Sequence, residues 1–430
     1  MAITQSAPFY KFFTASSFPA CATPGSTFPT CIGDANDNAA AATLQTAFVE
    51  FNPKRSYLMI WNLNVQRDLT QRTSLMVGYV GNHGVHMMNR EDDINSVLPT
   101  RTPFGLLMPV NPSAAPPCTE AELFTTGGCK VNPTNGDIRG MYWTGDALYD
   151  ALEAEVKQKI GSGFNLSAAY TFAKAIDTGS ATVIGDPFQN SISSPYFFCT
   201  KCRRGVSDFD IKHSLTAHLI WDLPSPKGLG TLGSQALGGW EVGSIVTAQT
   251  GVPFTPIISG DILGLGSADP WAFPSVVASS GCRSLVNPGN PSNYIKLNCL
   301  GLPLQGAIPD AECVKVTDPT TGSPACANLL GSVRRNSLPG PRLVDVDFSA
   351  FKTFPFRAIS ETFNAQFRVE MFNVFNHANF APPIVNAAVL SPITNSGGTV
   401  IGASGIPNAG AIDRTTTTSR QIQIGLKINW

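Results

Sequence analysis

The chain has 430 residues, with 29 Lys or Arg against 30 Asp or Glu, and a net charge of −1 leaves no basic surface for nucleic acid. Charged residues make up only 14%, against about 25% in soluble domains, while hydrophobic residues are an ordinary 43%. Gly (39) and Pro (33) are abundant, which disfavours long helices, and no stretch reaches the roughly 18 apolar residues of a membrane-spanning helix, a test that does not see barrels.

In chain order, residues 1–53 are rich in Ala, Pro, Thr and Ser without a period, and read as an irregular segment ending an external loop. The first twenty residues lack a basic region followed by an apolar core. An exported protein would then need its signal upstream, and the chain is expected to be a fragment. From Tyr57 a two-residue period begins, with Tyr57, Met59, Trp61, Leu63 and Val65 against Asn62, Asn64 and Gln66, and a tight link returns it through Leu75, Val77 and Tyr79. Such a pair is an antiparallel hairpin. Residues 81–146 read as a loop by composition. The period then resumes with Leu152, Ala154, Val156 and Ile160 against Glu153, Glu155, Lys157 and Lys159. On a helix those four charges would scatter around the axis; on a strand they line one face.

Further strands follow at Phe164–Phe172, Ile211–Leu223, Trp240–Ala248, Leu343–Phe354 and Phe363–Met371. Asp345 and Asp347 oppose Val344 and Val346, and Arg368 and Glu370 oppose Phe367 and Val369. The closing RQIQIGLKINW sets Ile422, Ile424, Leu426, Ile428 and Trp430 against Gln421, Gln423, Gly425, Lys427 and Asn429. An apolar face ending in an aromatic, opposite a wet one, suits a strand between lipid and a water-filled lumen. An edge strand of a soluble sandwich would show the same alternation.

The links alternate short (near 69, 162, 230 and 358) and long, as periplasmic turns and extracellular loops do in outer-membrane barrels. Aromatics fall in two rows: Phe164, Trp221, Trp240, Phe354, Phe363 and Trp430 near the short links, and Tyr57, Tyr79, Tyr170, Phe172 and Phe375 toward the long ones. Two rows at two depths match interfacial girdles. The expected fold is therefore all-β, an antiparallel transmembrane β-barrel, partial, with about nine strands of a larger barrel over 54–430 and long extracellular loops. Glu153, Glu155, Lys157, Lys159, Asp345, Asp347, Arg368 and Glu370 are expected to face the lumen.

All ten cysteines lie in near neighbours within turn-rich segments: Cys21 with Cys31, Cys118 with Cys129, Cys199 with Cys202, Cys282 with Cys299, Cys313 with Cys326. This reads as disulfides stapling loops in an oxidising space. Zinc is the rival at Cys199 and Cys202, though a single CxxC lacks the second pair a structural site needs. Asp208, Asp210 and His213 suit capping and ion pairing, with too few oxygens for calcium. His83, His86 and His377 read as surface or turn residues. No GxSxG, HExxH or Walker A pattern occurs, so neither enzyme nor cofactor is expected.

WNLNVQRDL at 61–69, VGYVGNHG at 77–84, LSAAYTFAKAID at 166–177, SDFDIKHSL at 207–215, GWEVGSIVTAQTGVPF at 239–254, VDVDFSAFKTFPF at 344–356, FRVEMFNVFNHANF at 367–380 and the terminal strand resemble, in this order, TonB-dependent outer-membrane receptors of the Oar-like type. The resemblance implies a barrel of about 22 strands, an N-terminal plug and a segment engaging TonB. It also implies the outer membrane of a Gram-negative-type bacterium, uptake of a bulky nutrient (glycan, peptide or metal chelate), and insertion by the barrel-assembly machinery through the strand ending at Trp430. Nine strands fall short of that barrel. The alternative is a structural or adhesive surface protein displaying disulfide-stapled loops.

Overall fold

In a computed structural model of the chain, the alternating segments form nine long strands. They are β1 Tyr57–Thr70, β2 Thr73–Glu91, β3 Ile138–Ile160, β4 Phe164–Asp177, β5 His213–Asp222, β6 Trp240–Gln249, β7 Leu343–Pro355, β8 Asn364–Phe372 and β9 Gln421–Asn429. The structure describes residues 46–91, 94–96, 98–102, 105–107, 138–161, 163–180, 198–225, 228, 233, 236–259, 272–277, 279–303, 315–317, 324–326, 330–356, 363–383, 388–394 and 400–430. Each long strand pairs antiparallel with its sequence neighbour, so β1 to β9 form one meander. Among the described residues β1 and β9 are the two edges and do not meet, so the sheet is not closed.

The connections between strands alternate in length. Gln71 and Arg72 turn β1 into β2, and Gly161, at φ +62° where a side chain would be strained, starts the turn from β3 to β4. These short links define a turn end of the sheet, and the long segments a loop end. Within the stretch expected to be irregular, Thr46–Val49 runs parallel to the start of β3; residues 1–45 lie outside the described residues.

Two strands outrun the sequence reading. β2 continues to Glu91 and β3 begins at Ile138, inside what composition marked as a loop. The register explains why. On the face carrying Leu75, Val77 and Tyr79, apolar residues fill the row Tyr79–Leu152–Phe172; beyond it the same face aligns Gly81, Asp150 and Lys174, and then mixes His83 with Leu148 and Ile176. From Phe164 to Phe172 is about nine residues, the span of a tilted strand crossing hydrocarbon. Past that height both faces mix polar with apolar residues and are partly buried, so alternation gives no signal.

The described residues of 251–341, a stretch without a sequence period, fold with those of 376–418 into a body at the loop end. Its strands have only two to seven residues: Pro253–Phe254 pairs with Leu338–Pro339, and Ile257–Ile258 runs parallel to Ala388–Thr394. Phe254, Ile258, Tyr294, Ile295, Leu338 and Val389 bury together in a core of its own. The Tyr294 hydroxyl donates to the Pro339 carbonyl at 2.9 Å, and burial pushes that phenol up to about 12. Among the described residues helix is limited to the turn Thr200–Arg203, residues 233, 236 and 237, and short 3-10 segments.

Candidate functional site

Paired residues of an antiparallel sheet share a face, and the register carries that face across the meander. One row runs Glu155–Ala169–Thr216–Thr247–Asp345, the next Lys157–Ser167–His218–Ile245–Asp347, and a third Lys159–Asn165–Ile220–Gly243–Ser349–Glu370. Glu153 pairs with Thr171 and Arg368 with Phe351 on the same side. All eight charges expected on the wet wall thus belong to one face of the sheet. Lys157 sits 2.9 Å from Glu155, Arg368 donates to Gln366 at 2.7 Å and lies over the Phe351 ring, and Asp347 accepts from the Asn373 backbone at 2.9 Å. A shallow hollow of about 300 Å³ on this face is lined in part by His218, Glu241, Asp347 and Glu370.

The opposite face carries a mid-height row of Leu75, Val156, Ala168, Ala217, Val246 and Val346. At the turn end its aromatics meet edge to face, Phe164 with Trp221 and Trp240 with Phe367, each at 6.3 Å between ring centres. Toward the loop end Tyr170 and Phe172 flank His213, whose Nδ1 lies 2.7 Å from the Tyr170 hydroxyl. From the turn end up to the Tyr79–Leu152–Phe172 row, two cations among the described residues depart from the pattern. Arg67 lies on this face of the edge strand β1. Lys352 is only 4% exposed: its Nζ donates to the Ala236 and Gly238 carbonyls at 3.0 and 2.6 Å and lies over the Trp240 and Phe354 rings. A lysine that bends its head to polar groups at the rim of an apolar belt is snorkelling. Trp430, just beyond β9, is 91% exposed.

Sequence reasoning missed the polar clasp joining the loop-end body to the sheet. Buried Arg335 donates to the Asp177 carboxylate, to the Asp177 carbonyl at 2.7 Å, to Ser180 Oγ at 3.0 Å and to the Arg203 carbonyl at 3.3 Å. Asn336 donates to Asp208 and, at 2.9 Å, to the Val206 carbonyl, while Arg203 reaches Glu91 at the end of β2. Of the three residues expected to cap and pair locally, Asp208 instead joins this long-range clasp, while Asp210 holds Lys174 at 2.8 Å and the Ala175 N–H at 2.6 Å on β4. His83 is not a bare surface residue, since its Nε2 lies 2.6 Å from Asp146. His86 takes a left-handed turn conformation at φ +54°, and His377 donates its N–H to Asn373 at 2.8 Å.

Burial pushes the Asp208 carboxyl up to about 6, with the Asp177 charge adding to the rise and the Asn336 and Arg335 contacts opposing it. Its folded value exceeds the unfolded 3.8, so the folded protein holds a proton the unfolded chain has released. Stability from this group is full below about pH 4 and is lost as pH rises to about 6. Melting the full-length protein at pH 4.5 and 7.5 should show Asp208→Asn losing less stability on that rise than the wild type. Equal losses would remove Asp208 from the account.

Cys199 is bonded to Cys202 and Cys282 to Cys299, the first pair bracketing the turn Thr200–Arg203 and the second stapling the loop-end core. Cys21, Cys31, Cys118, Cys129 and Cys313 lie outside the described residues, as does the Cys326 side chain. Among the described residues no group of three His, Cys, Asp or Glu is arranged to hold a metal.

A family model described as outer membrane beta barrel domain matches residues 1–423. A search of curated proteins finds no match. Similar solved structures include the outer membrane transporter YddB from Escherichia coli, at 7% identity and TM-score 0.38 over 89% of this chain and 34% of that one. The siderophore receptor PiuA from Acinetobacter baumannii matches at 8% identity and TM-score 0.35, over 86% of this chain and 28% of that one. The ferripyoverdine receptor of the outer membrane of Pseudomonas aeruginosa matches at 10% and 0.33, over 86% and 27%. The chain spans about a third or less of the length of these structures.

Proposed function

The chain belongs to the outer membrane beta barrel domain family, and from that membership we propose that it is part of the wall of a TonB-dependent receptor admitting a bulky nutrient. Its place is the outer membrane of a Gram-negative-type bacterium, and its fold an antiparallel all-β sheet. The observation that carries the reading is the two-faced meander, apolar on one side and lined by Glu153, Glu155, Lys157, Lys159, Asp345, Asp347, Arg368 and Glu370 on the other.

Unpaired N–H and C=O groups are too costly in hydrocarbon for the edges of β1 and β9 to stand open there. In this reading further strands close the wall around a plug, and the plug passes the pull of TonB to the ligand. The charged rows then form a hydrated wall, where fields between solvated groups fade within about 8–10 Å. They keep a passing solute in solution without gripping it. The loop-end body, held by Arg335, stands outside the cell as the capture surface, and β9 with Trp430 is the segment offered to the barrel-assembly machinery.

Cells carrying the intact gene should take up the nutrient, and deletion of TonB should abolish uptake while leaving the protein at the surface. A protein that binds its partner equally well with and without TonB, and imports nothing, would instead be a display barrel. The separate core of the loop-end body is the observation favouring that second reading.

A further inference from the structure

We propose that the hollow at the loop end of β2, β3 and β4 binds a neutral oligosaccharide; this rests on the receptor reading above and names its substrate class. The hollow measures about 540 Å³, within the roughly 300–1,000 Å³ usual for small-ligand sites. Its floor is the register row Asn82–Tyr149–Ala175, on the same face as Glu153 to Lys159, so it opens toward the polar side of the wall.

Three features select the ligand. The first is a supply of uncharged hydrogen-bonding groups: Asn82, Asn89, Tyr149 and Ser207 all line the hollow. Asn89 is only 4% exposed, and its Nδ2 meets no acceptor among the described residues. A buried amide N–H left this way is unfavourable, and a ligand hydroxyl would relieve it. The second is an apolar platform, the ring of Phe209, which lines the hollow and is 54% exposed. Sugars offer hydroxyls that both donate and accept, together with a C–H face that packs on a ring.

The third feature is charge. No Lys or Arg lines the hollow; Asp146 and Asp177 do, and each is already paired, Asp146 with His83 and Arg204 and Asp177 with Arg335. An anionic metal chelate would meet acids and no cation to receive it. A peptide joining as an added strand would need a free edge, and β3 is paired on both sides here.

The test uses the full-length receptor from the intact gene, purified in detergent. It is exposed to an array of neutral oligosaccharides (fragments of β-glucan, xylan, mannan, chitin and starch), with ferric catecholate and hydroxamate chelates and short peptides beside them. We expect at least one oligosaccharide class to bind, with Phe209→Ala and Asn89→Ala each weakening it about tenfold, the size of one lost ring or hydrogen-bond contact. Phe209→Ala and the more conservative Phe209→Leu are both melted beside the wild type, so that a lost ring contact to the ligand is told apart from a lost fold. Binding of a chelate or peptide in place of every oligosaccharide, or affinity unchanged in Phe209→Ala, overturns the proposal. Uptake with and without TonB separates the two readings. TonB-dependent entry of a chelate or peptide leaves the receptor standing and removes the sugar site; a sugar that binds at the hollow but never enters supports the site and removes the receptor.

Discussion

Arg335→Ala is expected to detach the loop-end body from the sheet at a cost of about 3–5 kcal/mol, the range for breaking a buried ion pair from one side. The guanidinium is buried and is the cation serving both Asp177 and, at 3.8 Å, Asp208. Its loss strands two carboxylates and unties Ser180 and the Arg203 carbonyl. Protease added to intact cells should then cut within 251–341 while the sheet survives, because β1 to β9 pair without reference to this contact. Adding Asp177→Asn should recover part of the loss, since it removes one stranded charge. A variant as protease-resistant as the wild type would show that the hydrophobic core of the body holds it in place unaided.

The second large effect separates the two faces. Val346 pairs with Val246 in the middle row of the apolar face, and Thr247, one residue on, pairs with Asp345 on the polar face. Lysine at a lipid-facing midplane position costs about 2–4 kcal/mol. Thr247→Lys would instead meet an acid across the strand pair, an exchange worth at most about 1 kcal/mol in either direction. Urea titration of the full-length protein folded into phospholipid vesicles should therefore place Val346→Lys far below Thr247→Lys. Similar midpoints for the two would mean that neither side of β7 meets lipid.

What the sequence revealed depended on where two solvents meet the sheet. Nine strands were legible because lipid on one side and water on the other impose a two-residue period, as in Val344, Asp345, Val346 and Asp347. The ends of β2 and β3 were not, because in GNHGVHMMNRE and IRGMYWTGD both faces mix polar with apolar residues and are partly buried. The eight charges could be assigned to a face by parity, since each strand reports its own alternation. Arg335, Asp177 and Asp208 could not be brought together, being separated by more than a hundred residues and joined by side chains with no local pattern. The core of the loop-end body was hidden for the same reason: its strands are too short for a period, and Phe254 and Val389 come from distant segments. Asn82, Tyr149 and Ala175 share a row only once the register is known.

The measurement bearing most directly on the account is site-directed spin labelling along β7 in the full-length protein reconstituted into phospholipid bilayers, with oxygen and a water-soluble nickel chelate as relaxants. Labels at 344, 346, 348 and 350 should respond to oxygen, and those at 345, 347 and 349 to the chelate, in strict alternation over the strand. An absent alternation, or labels accessible to the chelate at every position, would contradict a wall standing between lipid and a water-filled lumen.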